Sequence, residues 1–314
     1  MSIEKSNLTP ISFLCRDNND FYIKREDFIP FSFGGNKARK AQYFFDEIDK
    51  GDYDIVVTYG SSSSNHCRII SNMTKQRNMR CIIVSPLESS HETFNSKMMK
   101  LFGAEIISVH VDDVHNKIDE IINELKKDGR NPYFIPGGGH SNLGTKAYID
   151  CFNEILTYGR INNVDFDYIF LASGTGTTQA GLVCGKILTN SKTKIIGISI
   201  ARKLPRGKKI IIDSEKEYFS SIHYKYNESI LNEETIFLDD YVGEGYACDD
   251  VAVKNTIISV MERYGIPLDE TYTGKAYYGM LSFIKQHNIN NSKILFIHTG
   301  GTPLYFDFLK GVRK

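Results

Sequence analysis

Short apolar runs alternate along this chain with longer segments whose apolar positions recur at helical spacing. Ile55-Val56-Val57 lies in a strand-like run at 54–58, and similar runs stand at 80–84, 105–109, 168–172, 194–198 and 294–298. Between them, 37–49, 64–77, 92–102, 114–127, 145–158, 179–188 and 252–264 read as helices. Shorter strand patterns cover 22–25 and 133–135. Apolar strands alternating with helices imply parallel sheets covered on both faces. The 314 residues are long for one core, so two lobes are expected. The turn Gly137-Gly138-Gly139 reads as a crossing point between them. The fold class expected is α/β.

Charge narrows the partners. Lys plus Arg and Asp plus Glu balance at 38 each, which argues against a nucleic-acid or anionic-membrane protein. Arg202, Lys203, Arg206, Lys208 and Lys209 cluster around Pro205 and Gly207 and read as a solvated loop. Six scattered cysteines form no Cys-x-x-Cys pair. That points away from a metal site or disulfide scaffold and toward reduced thiols in the cytoplasm. The start, MSIEKSNLTP, has no apolar run, and no stretch reaches membrane-spanning length.

Candidate chemistry sits at strand ends and helix starts. Phe33-Gly34-Gly35-Asn36-Lys37 places a lysine just after a tight turn, where a held amine can form an imine with an aldehyde cofactor. The same residues would also serve as a solvated basic helix start. Ser173-Gly174-Thr175-Gly176-Thr177-Thr178-Gln179 follows a strand and opens a helix. Its glycines let backbone N–H groups converge, and its threonines add donors, so it suits a phosphate or oxyanion. No Gly-Lys-Ser/Thr follows, which disfavours nucleotide hydrolysis. Gly60-Ser61-Ser62-Ser63-Ser64-Asn65-His66 also joins a strand to a helix. It reads either as a carboxylate site or as a helix cap at Ser64 and Asn65. Tyr272-Thr273-Gly274 sets a phenol beside a hydroxyl, and His298-Thr299-Gly300-Gly301 reads as a close-packed glycine turn.

These segments recur, in this order, in one family. The chain resembles the pyridoxal-phosphate enzymes that include 1-aminocyclopropane-1-carboxylate deaminase and D-cysteine desulfhydrase. The likeness runs from Leu8-Thr9-Pro10 and Tyr22-Ile23-Lys24-Arg25-Glu26-Asp27 through Gly34-Gly35-Asn36-Lys37-Ala38-Arg39-Lys40 and Ser64-Asn65-His66-Cys67-Arg68. It continues through Pro136-Gly137-Gly138, the loop from Gly174 to Gly181, Gly243-Glu244-Gly245-Tyr246, Tyr272-Thr273-Gly274-Lys275-Ala276 and His298-Thr299-Gly300-Gly301. The resemblance implies the tryptophan-synthase-β-like fold. That fold has two three-layer α/β/α lobes with mostly parallel sheets, here a large cofactor domain (1–45 plus 150–314) and a small one (46–149).

It also implies roles for single residues. Lys37 would carry the cofactor, pyridoxal 5'-phosphate. Gly174, Thr175, Gly176, Thr177 and Thr178 would hold its phosphate, with Lys40 nearby. Asn65 would bond its phenolic oxygen. Ser64, Asn65 and His66 would meet the substrate carboxylate, and Tyr246 and Tyr272 would line the substrate pocket. Thr273 falls where the family places the partner of the pyridine nitrogen. The deaminase has a glutamate there, which would keep that nitrogen protonated. A threonine supplies no charge, and this suits β-elimination better than opening a cyclopropane. His66 after Ser64-Asn65 points the same way. Ser63, Ala147 and the stretch Ala247-Cys248-Asp249-Asp250 depart from the family pattern and bear on substrate choice.

The expected activity is therefore a pyridoxal-phosphate-dependent lyase. It would release pyruvate, ammonia and sulfide from a small amino acid such as D-cysteine, with Lys37, Ser64 or Tyr272 handling the Cα proton. Replacement, racemisation, cyclopropane deamination and a non-catalytic ligand-binding relative remain alternatives. A homodimer is implied, with no metal.

Overall fold

The computed structural model describes residues 9–241 and 250–311. Its elements alternate as the hydrophobic pattern requires. The strands are β1 (Ile11–Arg16), β2 (Asp20–Arg25), β3 (Ile55–Tyr59), β4 (Arg80–Pro86), β5 (Glu105–Val109), β6 (Pro132–Ile135), β7 (Tyr168–Ser173), β8 (Lys194–Ser199), β9 (Ile236–Leu238) and β10 (Lys293–His298). The helices are α1 (Asn36–Ile48), α2 (Asn65–Gln76), α3 (Phe94–Leu101), α4 (Val114–Lys127), α5 (Asn142–Asn162), α6 (Thr177–Thr189), α7 (Arg206–Ser221), α8 (Glu228–Glu234), α9 (Val251–Tyr264), α10 (Thr273–Gln286) and α11 (Thr302–Gly311).

Two sheets form. One has six strands in the order β1-β2-β10-β7-β8-β9, and the other has four in the order β5-β4-β3-β6. Among the described strands only β1 runs antiparallel to its neighbour; the other pairings are parallel. Successive side chains leave a strand on opposite faces, so each strand feeds two cores. In the larger sheet Ile23, Phe170, Ile196 and Phe296 pack under α9, α10 and α11, whereas Tyr22, Ile169, Ile195 and Leu295 pack under α5 and α6. In the smaller sheet Val56, Cys81 and Ile83 meet α1 and α2, whereas Ile55, Val57 and Ile82 meet α4. The central strands of both sheets are therefore buried on both faces, and this explains why they read as unbroken apolar runs.

The basic cluster is not a loop throughout. Helix α7 begins at Arg206, so Lys208 and Lys209 are helical, and Lys209 pairs with Asp213 one turn on at 2.6 Å. None of the described helices is long and apolar enough to cross a membrane.

Candidate active site

The carboxyl ends of β3, β7, β8 and β10 converge on one cavity of about 450 Å³. Its volume falls within the range of small-molecule sites, and strand ends are where such sites form in α/β proteins. Tyr59, Gly60, Ser61 and Ser64 enter from the smaller sheet; Ala172 to Gly176, Ile200 to Arg202, Thr299 and Gly300 enter from the larger one. Lys37, Asn65, His66, Thr178 and Tyr272 complete much of the wall.

Lys37 is fixed before it reaches the cavity. The Asn36 N–H donates to the Thr299 carbonyl at 2.9 Å, which ties the first turn of α1 to the end of β10. The Asn36 side chain donates to Thr178 Oγ1 at 3.0 Å and so links this turn to the start of α6. Two residues further on, Arg39 grips buried Glu26 at 2.5 and 2.9 Å and Glu154 at 2.8 Å. Glu26 also accepts from Thr9 at 2.5 Å and Tyr148 at 3.0 Å, and the Arg39 guanidinium holds its carboxyl down at about 2 despite burial. The Lys37 amine donates to the Gly138 carbonyl at 3.1 Å. Removal from water, with the Arg202 charge as a smaller cause, lowers its pKa to about 8.

The loop before α6 takes the expected strand–turn–helix form. Gly174, Thr175, Gly176 and Thr178 line the cavity, and the Arg202 guanidinium donates to the Gly174 carbonyl. Thr177 does not reach the wall: it is fully buried, with Oγ1 2.9 Å from His140 Nδ1. Lys40 is buried behind Gly139, and among the described residues its ammonium has no hydrogen-bond partner. Burial and Lys37 push its pKa well down. The face of the Tyr148 ring, 5.8 Å from the amine, offers it weak compensation, and an anion nearby would offer more.

Ser64 does cap α2, since its Oγ accepts from the Cys67 N–H at 3.1 Å, and it also faces the cavity. Capping and site roles are therefore not exclusive. His66 Nε2 lies 2.9 Å from Thr58 Oγ1, and Thr58 donates its own proton to the Ile135 carbonyl at 2.7 Å. Nε2 must then carry the hydrogen in that pair. Burial and the Lys37 and Lys40 charges keep His66 neutral.

Thr273 is completely buried behind Tyr272 rather than in the cavity wall. Its hydroxyl donates to Asp269 Oδ1 at 2.8 Å and accepts from the Asp269 N–H at 2.9 Å. Tyr246 lies outside the described residues. Conversely, Arg202 and Arg206 line the cavity, and the solvated-loop reading of these two is corrected. Arg202 lies just beyond the carboxyl end of β8, a position that the strand-end rule could have flagged. Arg206 had no such local signal. Among the described residues the wall holds no carboxylate.

A model of the pyridoxal-phosphate dependent enzyme family matches residues 3–300. The chain belongs to this family. The D-cysteine desulfhydrase of Yersinia enterocolitica is 29% identical over an alignment covering 96% of this chain and 94% of that one. A solved structure described as an ACC deaminase homologue is 32% identical, with a TM-score of 0.86 over 98% of this chain and 94% of its own. A cysteine synthase from Entamoeba histolytica, 17% identical with a TM-score of 0.70 over 99% of this chain and 90% of its own, shares the fold. The fold is that of the type II pyridoxal-phosphate enzymes, and the cofactor is pyridoxal phosphate. The site suits that group on its own terms: a lysine amine poised near neutrality, a glycine–threonine turn at a helix start, a buried Lys40 amine without a hydrogen-bond partner behind Gly139, and, among the described residues, a basic wall without acids.

Proposed function

We propose that this pyridoxal-phosphate enzyme is a lyase removing a β-leaving group from a small amino acid, most simply D-cysteine. When bound, the cofactor supplies an aldehyde that takes up an amine and a ring that draws electrons from the attached carbon. Lys37 would hold it covalently through an amine that sheds its proton near pH 8. Gly174, Thr175, Gly176 and Thr178 would hold the phosphate, with Lys40 as counter-charge from behind and Thr177 bracing the turn through His140. Asn65 would donate to the phenolic oxygen. Ser64, Asn65 and His66 would seat the substrate carboxylate at the start of α2, where the helix end favours an anion. Lys37, Ser64 or Tyr272 would move the Cα proton.

The observation that carries elimination is the acid-free wall. Asp269 is the nearby buried carboxylate, but it accepts from the N–H groups of Thr271, Tyr272 and Thr273 and from the Thr273 hydroxyl. A ring bound in this cavity would then meet no carboxylate in the wall formed by the described residues, and it would withdraw electrons less strongly. A substrate that brings its own leaving group fits such a site best. The departures at Ser63 and Ala147 leave room for a relative of D-cysteine. The reading includes a homodimer working in the cytoplasm, with 46–149 as the smaller domain.

The test is an assay of purified holoenzyme with D-cysteine, L-cysteine and 1-aminocyclopropane-1-carboxylate, following sulfide, pyruvate and ammonia. Equal release of all three products from D-cysteine is expected. Ammonia from the cyclopropane substrate alone, or no turnover of any, would overturn the reading.

A further inference from the structure

Arg68 is a motif residue to which the proposed chemistry gives no task. It sits on α2 with no exposed surface, and its hydrogen-bond partners are all neutral. One terminal nitrogen, Nη1, donates to Asn65 Oδ1 at 2.6 Å and to Asn95 Oδ1 at 2.7 Å. The other, Nη2, approaches the Gly34 carbonyl at 3.5 Å, and Nε has no partner among the described residues. Asn95 closes the triangle: its Nδ2 donates to Asn65 Oδ1 at 2.9 Å and to the Ser63 carbonyl at 2.8 Å. Burial alone lowers the Arg68 pKa to about 9.

The chemistry of the donors settles which way Asn65 points. A guanidinium only donates, so the Asn65 atom that it touches is the oxygen. With Oδ1 held by two donors, the NH₂ is left as the amide's free end, and among the described residues it has no acceptor. Asn65 itself lines the cavity. Unassisted, an asparagine could present either end to a ligand. Here the flip is fixed, and a positive charge stands one amide away from the cavity. A buried guanidinium without an anion is costly unless an anion arrives.

We propose that Arg68, held by Asn95, is a positioning residue that sets Asn65 as a hydrogen-bond donor and supplies through it the counter-charge for the ionised phenolic oxygen of the bound cofactor. The proposal rests on the reading that this oxygen lies against Asn65. A cation there disfavours any further positive charge on the cofactor. It therefore lowers the pH at which the lysine-bound cofactor loses its imine proton.

The experiment titrates the visible absorbance band of reconstituted wild type, Arg68→Met, Arg68→Lys and Asn95→Asp, and measures pyridoxal-phosphate dissociation from each. Arg68→Met removes the charge, and Asn95→Asp pairs it with a carboxylate. Both should move the titration midpoint to higher pH by about one unit and weaken cofactor binding about tenfold. Arg68→Lys, which keeps the charge, should shift the midpoint less. If the Met variant is insoluble, Asn95→Asp decides alone. Variants that keep the wild-type midpoint and affinity while only melting earlier would show Arg68 to be merely structural and sink the proposal. A wild type without the band, or a Lys37→Ala protein that keeps it, would instead overturn the underlying reading.

Discussion

Gly35 and Gly300 meet backbone to backbone: a Cβ on Gly300 would lie 2.7 Å from the Gly35 Cα. Both have left-handed φ, 97° and 100°, a region costly for other residues. This contact is what lets the Thr299 carbonyl reach the Asn36 N–H and hold the turn before Lys37. Gly300→Ala should therefore cost at least about 2 kcal/mol of stability and slow cofactor uptake by the apoprotein. Thermal melting and an absorbance time course would check both. A variant with unchanged melting and uptake would show that the contact is not required.

The Lys37 amine should behave as a base of pKa about 8 rather than its ordinary 10.5. The rate at which apoprotein takes up pyridoxal phosphate should then climb with pH and level off above about 8. Arg202 is the second cause of the shift. Removing a positive neighbour favours the protonated amine, so Arg202→Gln should move the midpoint to higher pH. Stopped-flow absorbance across a pH series gives the answer, and a wild-type midpoint near 10.5 would contradict the buried amine.

Glu26 should govern stability in acid. Its folded pKa of about 2 lies below the ordinary 4.5, so the folded state binds the carboxylate form more strongly. That contribution is complete above pH 4.5 and fades as pH falls toward 2. Glu26→Gln leaves Arg39 and Lys24 with Glu154 alone, and breaking a buried pair of this kind costs about 3–5 kcal/mol. Denaturant unfolding at pH 7 should show that loss. Between pH 4.5 and 2 the variant should lose less stability than wild type; identical slopes would mean that another carboxylate controls the acid limb.

Much of this fold was legible because the central strands of both sheets are buried on both faces. β5 and α4 fall where their apolar spacing puts them, and the ends of α1 and α2 move by a residue. β1 was missed since it is an edge strand with no fully buried side chain and no clean alternation, and β9 is only three residues long. α7 was hidden by its basic first turn, which reads as a solvated loop. The strand-end motifs located Lys37, Ser64, Asn65 and the Gly174 turn in one cavity, because phosphate-type turns leave a local glycine and hydroxyl signature. Arg202 carries only its place just past the end of β8, and Arg206 leaves no local signal, since its place depends on how α7 packs. Thr273 shows the converse limit. Its neighbour Tyr272 reaches the wall, but only three dimensions reveal that Asp269 claims the threonine hydroxyl.

That pair gives the last prediction. Thr273 both donates to Asp269 and accepts from its N–H, and Asp269 is a buried carboxylate whose pKa burial raises. Thr273→Val removes the hydroxyl and leaves the carboxylate short of one donor, which costs about 1–3 kcal/mol. Thr273→Ser retains both bonds and should cost well under half as much. Thr273→Glu would set a second carboxylate against the first in a fully buried site, and it should fail to give folded protein. The chain thus has a structural reason for a neutral residue here. Thermal melts of the Val and Ser variants, beside the solubility of the Glu variant, test the argument. A soluble Thr273→Glu protein that gained cyclopropane deaminase activity would instead place this position at the ring nitrogen and make the Asp269 contact dispensable.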